Sequence, residues 1–118
     1  MEKERKVVAW SLRAASATGS KDYRIMIIDK AIVVSWGSTA GTLQHKGYIF
    51  PTTQAAFAWA ASQTEIKEKK GYALLQEPRV ATFNITDEWI AKIKNLRGAT
   101  SELDSLFKRI MAAGQIAV

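Results

Sequence analysis

Apolar positions in the first half of the chain recur mostly at every second residue. Val7 to Arg13 reads VVAWSLR, where Val8, Trp10 and Leu12 alternate with Val7, Ala9 and Ser11. Period-two alternation marks a strand, and the bulkier set is the expected buried face. Ala14 to Ser20 is small and turn-rich and reads as a loop. Tyr23 to Ile28, YRIMII, is almost continuously apolar, as in a strand covered on both faces. Asp29-Lys30 then makes a tight turn, so that 23–36 forms a hairpin with a third strand over Ala31 to Trp36. In that strand Ile32, Val34 and Trp36 share one face, while Val33 and Ser35 take the other. Trp36 ends its row beside a glycine-punctuated stretch with Gly37, Gly41 and Gly47, and a fourth strand covers about Leu43 to Phe50. A flat side chain at a sheet rim can be core, binding platform or both.

The period then changes. Pro51-Thr52-Thr53 opens a helix, with a threonine to cap the free N–H groups. Gln54 to Lys70 is alanine-rich, carries Lys67, Lys69 and Lys70 in its last turns, and stops at Gly71. Tyr72 to Leu75 is a fifth strand or extended return. The order so far is ββββαβ. Gln76 to Phe83 contains Pro78 and reads as a linker. Beyond it, Thr86-Asp87-Glu88 starts a helix over 86–97 that carries Trp89, Ile90, Ile93 and Leu96. A second helix over 100–113 bears Leu103, Leu106, Phe107, Ile110 and Met111 at i, i+3, i+4, i+7 and i+8. Such a helix pair is core, a dimerisation element (the favoured alternative) or a helix-turn-helix; the last is disfavoured by the scarcity of exposed polar residues for base edges. The expected architecture is therefore α+β. An antiparallel sheet of four to five strands with one packed helix spans 6–76, a linker spans 77–85, and a C-terminal helical appendage spans 86–114.

Composition narrows the chemistry. A chain of 118 residues suffices for one self-sufficient core. There is no cysteine, hence no disulfide, thiolate metal site or cysteine nucleophile, and the single histidine, His45, cannot build a histidine-rich metal site. The glycines do not fit a phosphate loop, and Ser38 does not stand in a nucleophile elbow. Glu65 and Glu68, or Asp87 and Glu88, read as helix-surface and helix-start charges rather than a catalytic pair. A binding module with no catalysis and no cofactor is expected. The start, MEKERK, lacks a signal-like apolar core, and no run approaches a membrane span, so an intracellular, cytoplasmic protein is expected. The formal net charge of +6 points to an anionic partner if the cations cluster on one face.

One constellation is more specific than any of these signals. Ser20-Lys21-Asp22-Tyr23, then Trp36-Gly37-Ser38 with Gly41, then a helix with Ala56 and Lys67 closing on Lys70-Gly71-Tyr72, resembles the WGR domain. That small β-sheet module occurs in DNA-dependent poly(ADP-ribose) polymerases and in stand-alone bacterial proteins. The resemblance covers roughly residues 6–76 and lies in the order of the pieces. The chain departs from it in three places: Ser38 stands where the signature has arginine, Ser20 where the family has asparagine, and Phe57 and Trp59 stand out of register with the family's helix phenylalanines.

The resemblance implies a nucleic-acid interface. In WGR domains the signature tryptophan packs against a nucleotide at a DNA end or break, and the arginine contacts the neighbouring backbone. Carried over by position, this singles out Trp36, Gly37, Lys21 and Tyr72, with Ser38 offering only a neutral hydrogen bond. Arg24, His45 or Lys46 are candidates to replace the missing charge, and Lys70 joins them at the helix end. The expectation is a module binding nucleic acid, DNA before RNA, through Trp36, Gly37, Ser38, Lys21, Arg24, Lys46, Lys70 and Tyr72. The alternative is an assembly module that forms a homodimer through 86–114.

Overall fold

The computed structural model describes residues 2–17, 19–95, 97–98 and 101–116. Five long strands form the body of the molecule: β1 (Glu2–Ser16), β2 (Gly19–Ile28), β3 (Ala31–Ser38), β4 (Gln44–Ile49) and β5 (Ala73–Thr86). Helix α1 (Thr53–Lys69) precedes β5; α2 (Asp87–Ile93) and α3 (Ser101–Ala113) follow it. Two short strands, β6 (Arg97–Gly98) and β7 (Gln115–Ile116), complete one antiparallel sheet in the order β6-β4-β3-β2-β1-β5-β7. The fold is α+β, as the periodicity predicts.

Both faces of this sheet are buried. On one face Val8, Trp10, Leu12, Tyr23, Ile25, Ile27, Ile32 and Val34 pack under α1. The helix approaches closely because the residues it presents, Ala56 and Ala60, are small and fully buried. Trp10 anchors it by donating from its indole Nε1 to Thr64 Oγ1 at 3.0 Å, and Trp59 stacks against Tyr48 and Phe50. On the other face Val7, Ala9, Met26, Ile28, Ala31 and Val33 meet Ile93 of α2 and Leu103, Leu106, Phe107 and Ile110 of α3. The expectation of one buried face in the first strand is thus corrected: Val7 and Ala9 are as inaccessible as Leu12.

This second layer removes the boundary expected after residue 76. Residues 77–85 are not a linker but most of β5, paired with β1 along its length. Pro78 misleads as a breaker because it sits in an irregularity: Ala9 pairs with Arg79 and Ser11 with Gln76, so the register shifts around it. A bulge is where a strand tolerates a residue without an N–H. The apolar stripe of α3 is likewise no free dimerisation face, since Leu103, Leu106, Phe107 and Ile110 are buried in the chain's own core. At about 1.5–3 kcal/mol per buried large side chain, exposing all four would cost as much as the whole stability of a small domain. The helices that sequence reading detaches are therefore half of the fold.

Charged side chains fix the second layer. Arg5, buried, donates to the Ile85 carbonyl at 3.0 Å and pairs with Asp29 in the β2–β3 turn and Asp87 at the start of α2. Arg24 pairs with Asp104 at 2.7 Å and lies 4.5 Å from the Phe107 ring centre, tying α3 to β2. Where α2 ends over β4, only a glycine fits: a Cβ on Gly47 would overlap the Ile93 carbonyl. Gly47→Ala is expected to cost about 3 kcal/mol or more, because backbone rather than a flexible side chain must move. Urea denaturation checks this; the midpoint should fall at unchanged slope.

Candidate nucleic-acid interface

The α1 face has one corner the helix does not cover. Along β3, Ile32 and Val34 are sealed beneath α1, but Trp36 is 39% exposed. Trp36 stands between its cross-strand partners Tyr23 of β2 and Gln44 of β4. One row further out, Lys21 lies directly opposite Ser38. By the period-two rule Lys21, Tyr23, Trp36 and Ser38 share this face, as does Lys46, which is two residues from Gln44 on β4. Lys46 places its ammonium 5.2 Å from the Tyr48 ring centre.

The end of α1 closes the other side. Its C-cap is Lys70, and the chain turns through Gly71 (φ 99) to bring Tyr72 back against the sheet. The Tyr72 ring meets Tyr23 edge-on at 6.4 Å. Lys67 Nζ sits 4.6 Å from the Tyr23 ring centre and 5.6 Å from that of Tyr72. A cation over aromatic faces is held in place electrostatically. Burial, with the nearby Lys70 charge, lowers the Lys67 pKa below the usual lysine value.

The turn beside Trp36 is built on Asp22. This buried carboxylate accepts from Arg13 Nε at 2.7 Å and from Thr39 Oγ1 at 2.8 Å, and Thr39 in turn accepts from Ser20 Oγ at 2.7 Å. The Thr39 amide also donates to the Ser20 carbonyl at 2.9 Å. Burial by itself would raise the Asp22 pKa, but the Arg13 and Thr39 hydrogen bonds and the charges of Arg13 and Arg24 together hold it below the ordinary carboxylate value. Gly37, opposite Asp22, takes φ 148, in the region that disfavours side chains, and a Cβ there would crowd Leu43. The residues that fix the turn lie beneath the sheet, while those it displays lie above.

The structure therefore gathers most of the residues singled out from sequence and separates two. Trp36, Ser38, Lys21, Lys46, Lys70 and Tyr72 frame one corner, with Gly37 shaping its turn. Arg24 does not belong there. Strand alternation puts it on the opposite face, where Asp104 and Phe107 engage it. His45 is also on that face, buried with Nδ1 2.6 Å from Ser35 Oγ. Lys67 and Tyr23 are the members that the sequence expectation omits. Tyr23 has the right parity to face Trp36, a signal present in the strand pattern. The position of Lys67 depends on how closely α1 docks, which strand pattern does not reveal. Among the described residues no group of histidines and carboxylates could hold a metal ion, and no helix is long and apolar enough to cross a membrane. No protein-family model, curated protein or solved structure matches the chain.

Two titrations test this corner. Burial, then the neighbouring Tyr48 and Tyr72, push the Tyr23 phenol from 10.0 up to about 12. A pKa raised on folding contributes stability that is complete below the unfolded value and is lost as pH rises through the folded one. Stability should hold to about pH 10 and fall by on the order of 2–3 kcal/mol between about pH 10 and 12. Tyr23→Phe should remove that alkaline dependence, measured by denaturant melts between about pH 10 and 12. Stability equally pH-dependent in the wild type and Tyr23→Phe would contradict the burial. For Asp22 the sign is opposite: its contribution is present above the ordinary carboxylate value and lost as pH falls through its lowered one. Asp22→Asn should cost about 1.5–3 kcal/mol near neutral pH and progressively less in acid, measured by denaturant melts.

Proposed function

We propose that the chain is a non-catalytic module that binds nucleic acid, duplex DNA or a DNA end in preference to RNA, through the Trp36 corner. The observation that carries the reading is a partly open indole sharing one sheet face with Lys21 and Lys46, beside the helix end that bears Lys67 and Lys70. An aromatic face stacks on a base or sugar, and a stacked base contributes about 1–3 kcal/mol. Surrounding ammonium groups neutralise phosphates and release counterions.

The resemblance to WGR domains supports the same face. The chain runs ββββαβ through β5, and Trp36 and Lys21 lie on one sheet face with Tyr72 packed edge-on against Tyr23. Ser38 lacks the signature's positive charge, yet its direct cross-strand partner is Lys21. Opposed residues carry their Cβ atoms about 4.5–5.5 Å apart, so a lysine reaches the phosphate that an arginine at 38 would meet. Three arginines are committed to carboxylates: Arg5, Arg13 and Arg24 form ion pairs. The apolar stripe of α3 is in the core, which leaves only the exposed side of that helix to the assembly reading.

Anisotropy with a labelled duplex tests the proposal. Binding should weaken steeply with salt, with a log–log slope of about −3 to −4 if all four lysines meet phosphates. Trp36→Ala should weaken binding about tenfold with the fold intact. Lys21→Ala should reduce the slope by about one, whereas Lys92→Ala, on the opposite layer, should leave it unchanged. Failure to bind any DNA or RNA at low salt rejects the function.

A further inference from the structure

The opposite margin of the sheet carries a second feature, independent of the corner. Strand β5 pairs with β1 on one side, but on the other it pairs with β7 only at Arg79 and Val80. From Ala81 to Thr86 that edge has no partner strand among the described residues. An open edge of this length is a template for another strand. Beside it runs a groove of about 900 Å³ between residues 82–86 and the outer face of α3. Phe83, Trp89 and Leu106 give it apolar walls, and Glu102, Ser105 and Arg109 line the helix side. Arg109 lies 4.8 Å from the Phe83 ring centre, with no carboxylate partner among the described residues.

The geometry points to a second copy of this chain as the occupant. Two β5 edges paired antiparallel about Asn84 would set Thr82 against the partner's Thr86, extending one continuous sheet. The two-fold axis of such a pair is perpendicular to the sheet, so both α3 helices lie on the same side, antiparallel. The groove-lining helix residues run from 102 to 109, and their midpoint falls at Ser105–Leu106. The strand segment in the same groove, 82–86, is centred on Asn84. One axis therefore passes through both centres and brings Glu102 of each copy toward Arg109 of the other. A two-fold interface requires such self-complementarity: if i meets j, j meets i. Opposite charges at the two ends and a neutral, exposed Ser105 at the centre satisfy it. An unrelated extended peptide would have no reason to match the 102–109 spacing. The short β7 occupies the edge only at Arg79 and Val80, so pairing between copies is confined to 82–86.

Sedimentation velocity over a concentration series, without DNA, tests this. The full-length chain should approach twice its monomer mass as concentration rises. Glu102→Arg and Arg109→Glu should each weaken the dimer about tenfold or more by placing like charges together, and the two combined should restore it to within about threefold. Ser105→Glu sets two like charges at the axis and should also dissociate the dimer; because Ser105 is exposed, the far-UV spectrum and melting temperature should hardly change. A monomer at every concentration, a dimer indifferent to all these changes, or a double exchange that fails to restore pairing overturns the inference. None of these outcomes bears on Trp36, so the inference and the DNA reading fail separately.

Discussion

The constraint on which the structure depends is that its central sheet is apolar on both faces. Val7, Ala9, Met26, Ile28 and Val33 alternate with Val8, Leu12, Ile25, Ile27 and Ile32, and neither set is accessible. A sheet of this kind must be a middle layer, because each uncovered face would leave many large side chains in water. Helix α1 covers one face and α2 with α3 the other. Every further feature follows from where that coverage ends: one corner beyond the C-terminus of α1, and one strand edge beyond β7.

The charge distribution obeys the same geometry. Three arginines tie the fold together, their planar guanidinium groups reaching carboxylate acceptors: Arg5 joins the β2–β3 turn to α2, Arg13 supports Asp22, and Arg24 ties β2 to α3. Lys21, Lys46, Lys67 and Lys70 border the Trp36 corner, with Lys46 and Lys67 seated over aromatic rings. The turn that displays Trp36 is held from below by the Asp22 carboxylate, which gathers Arg13 and Thr39.

The strands, the hairpin turn at Asp29 and the cap of α1 are legible in the sequence because each rests on local rules: alternation, turn chemistry and a threonine accepting from the Ala55 amide. The partition of the molecule is not. Pro78 resembles a break because sequence shows the missing N–H but not the bulge that tolerates it. The stripe on α3 shows that a partner surface exists but not whether it belongs to another subunit or to β1 and β5. The continuous apolar run in β2 already required cover on both faces, and applying that inference to the whole sheet would have claimed α3 for the core. At the site, strand parity alone separates Arg24 from Lys21 and Tyr23, so its place on the opposite face is legible in the sequence. The seat of Lys67 between Tyr23 and Tyr72 is not, since it depends on the closeness of helix docking that Ala56 and Ala60 permit.

Backbone amide and indole chemical shifts followed during titration with a short duplex test the central claim most directly. The account predicts perturbations concentrated at Lys21, Trp36, Ser38, Lys46, Lys67, Lys70 and Tyr72, with the Trp36 indole N–H among the largest. Perturbations centred on α2 and α3, or spread evenly over the surface while the Trp36 indole stays still, would contradict it.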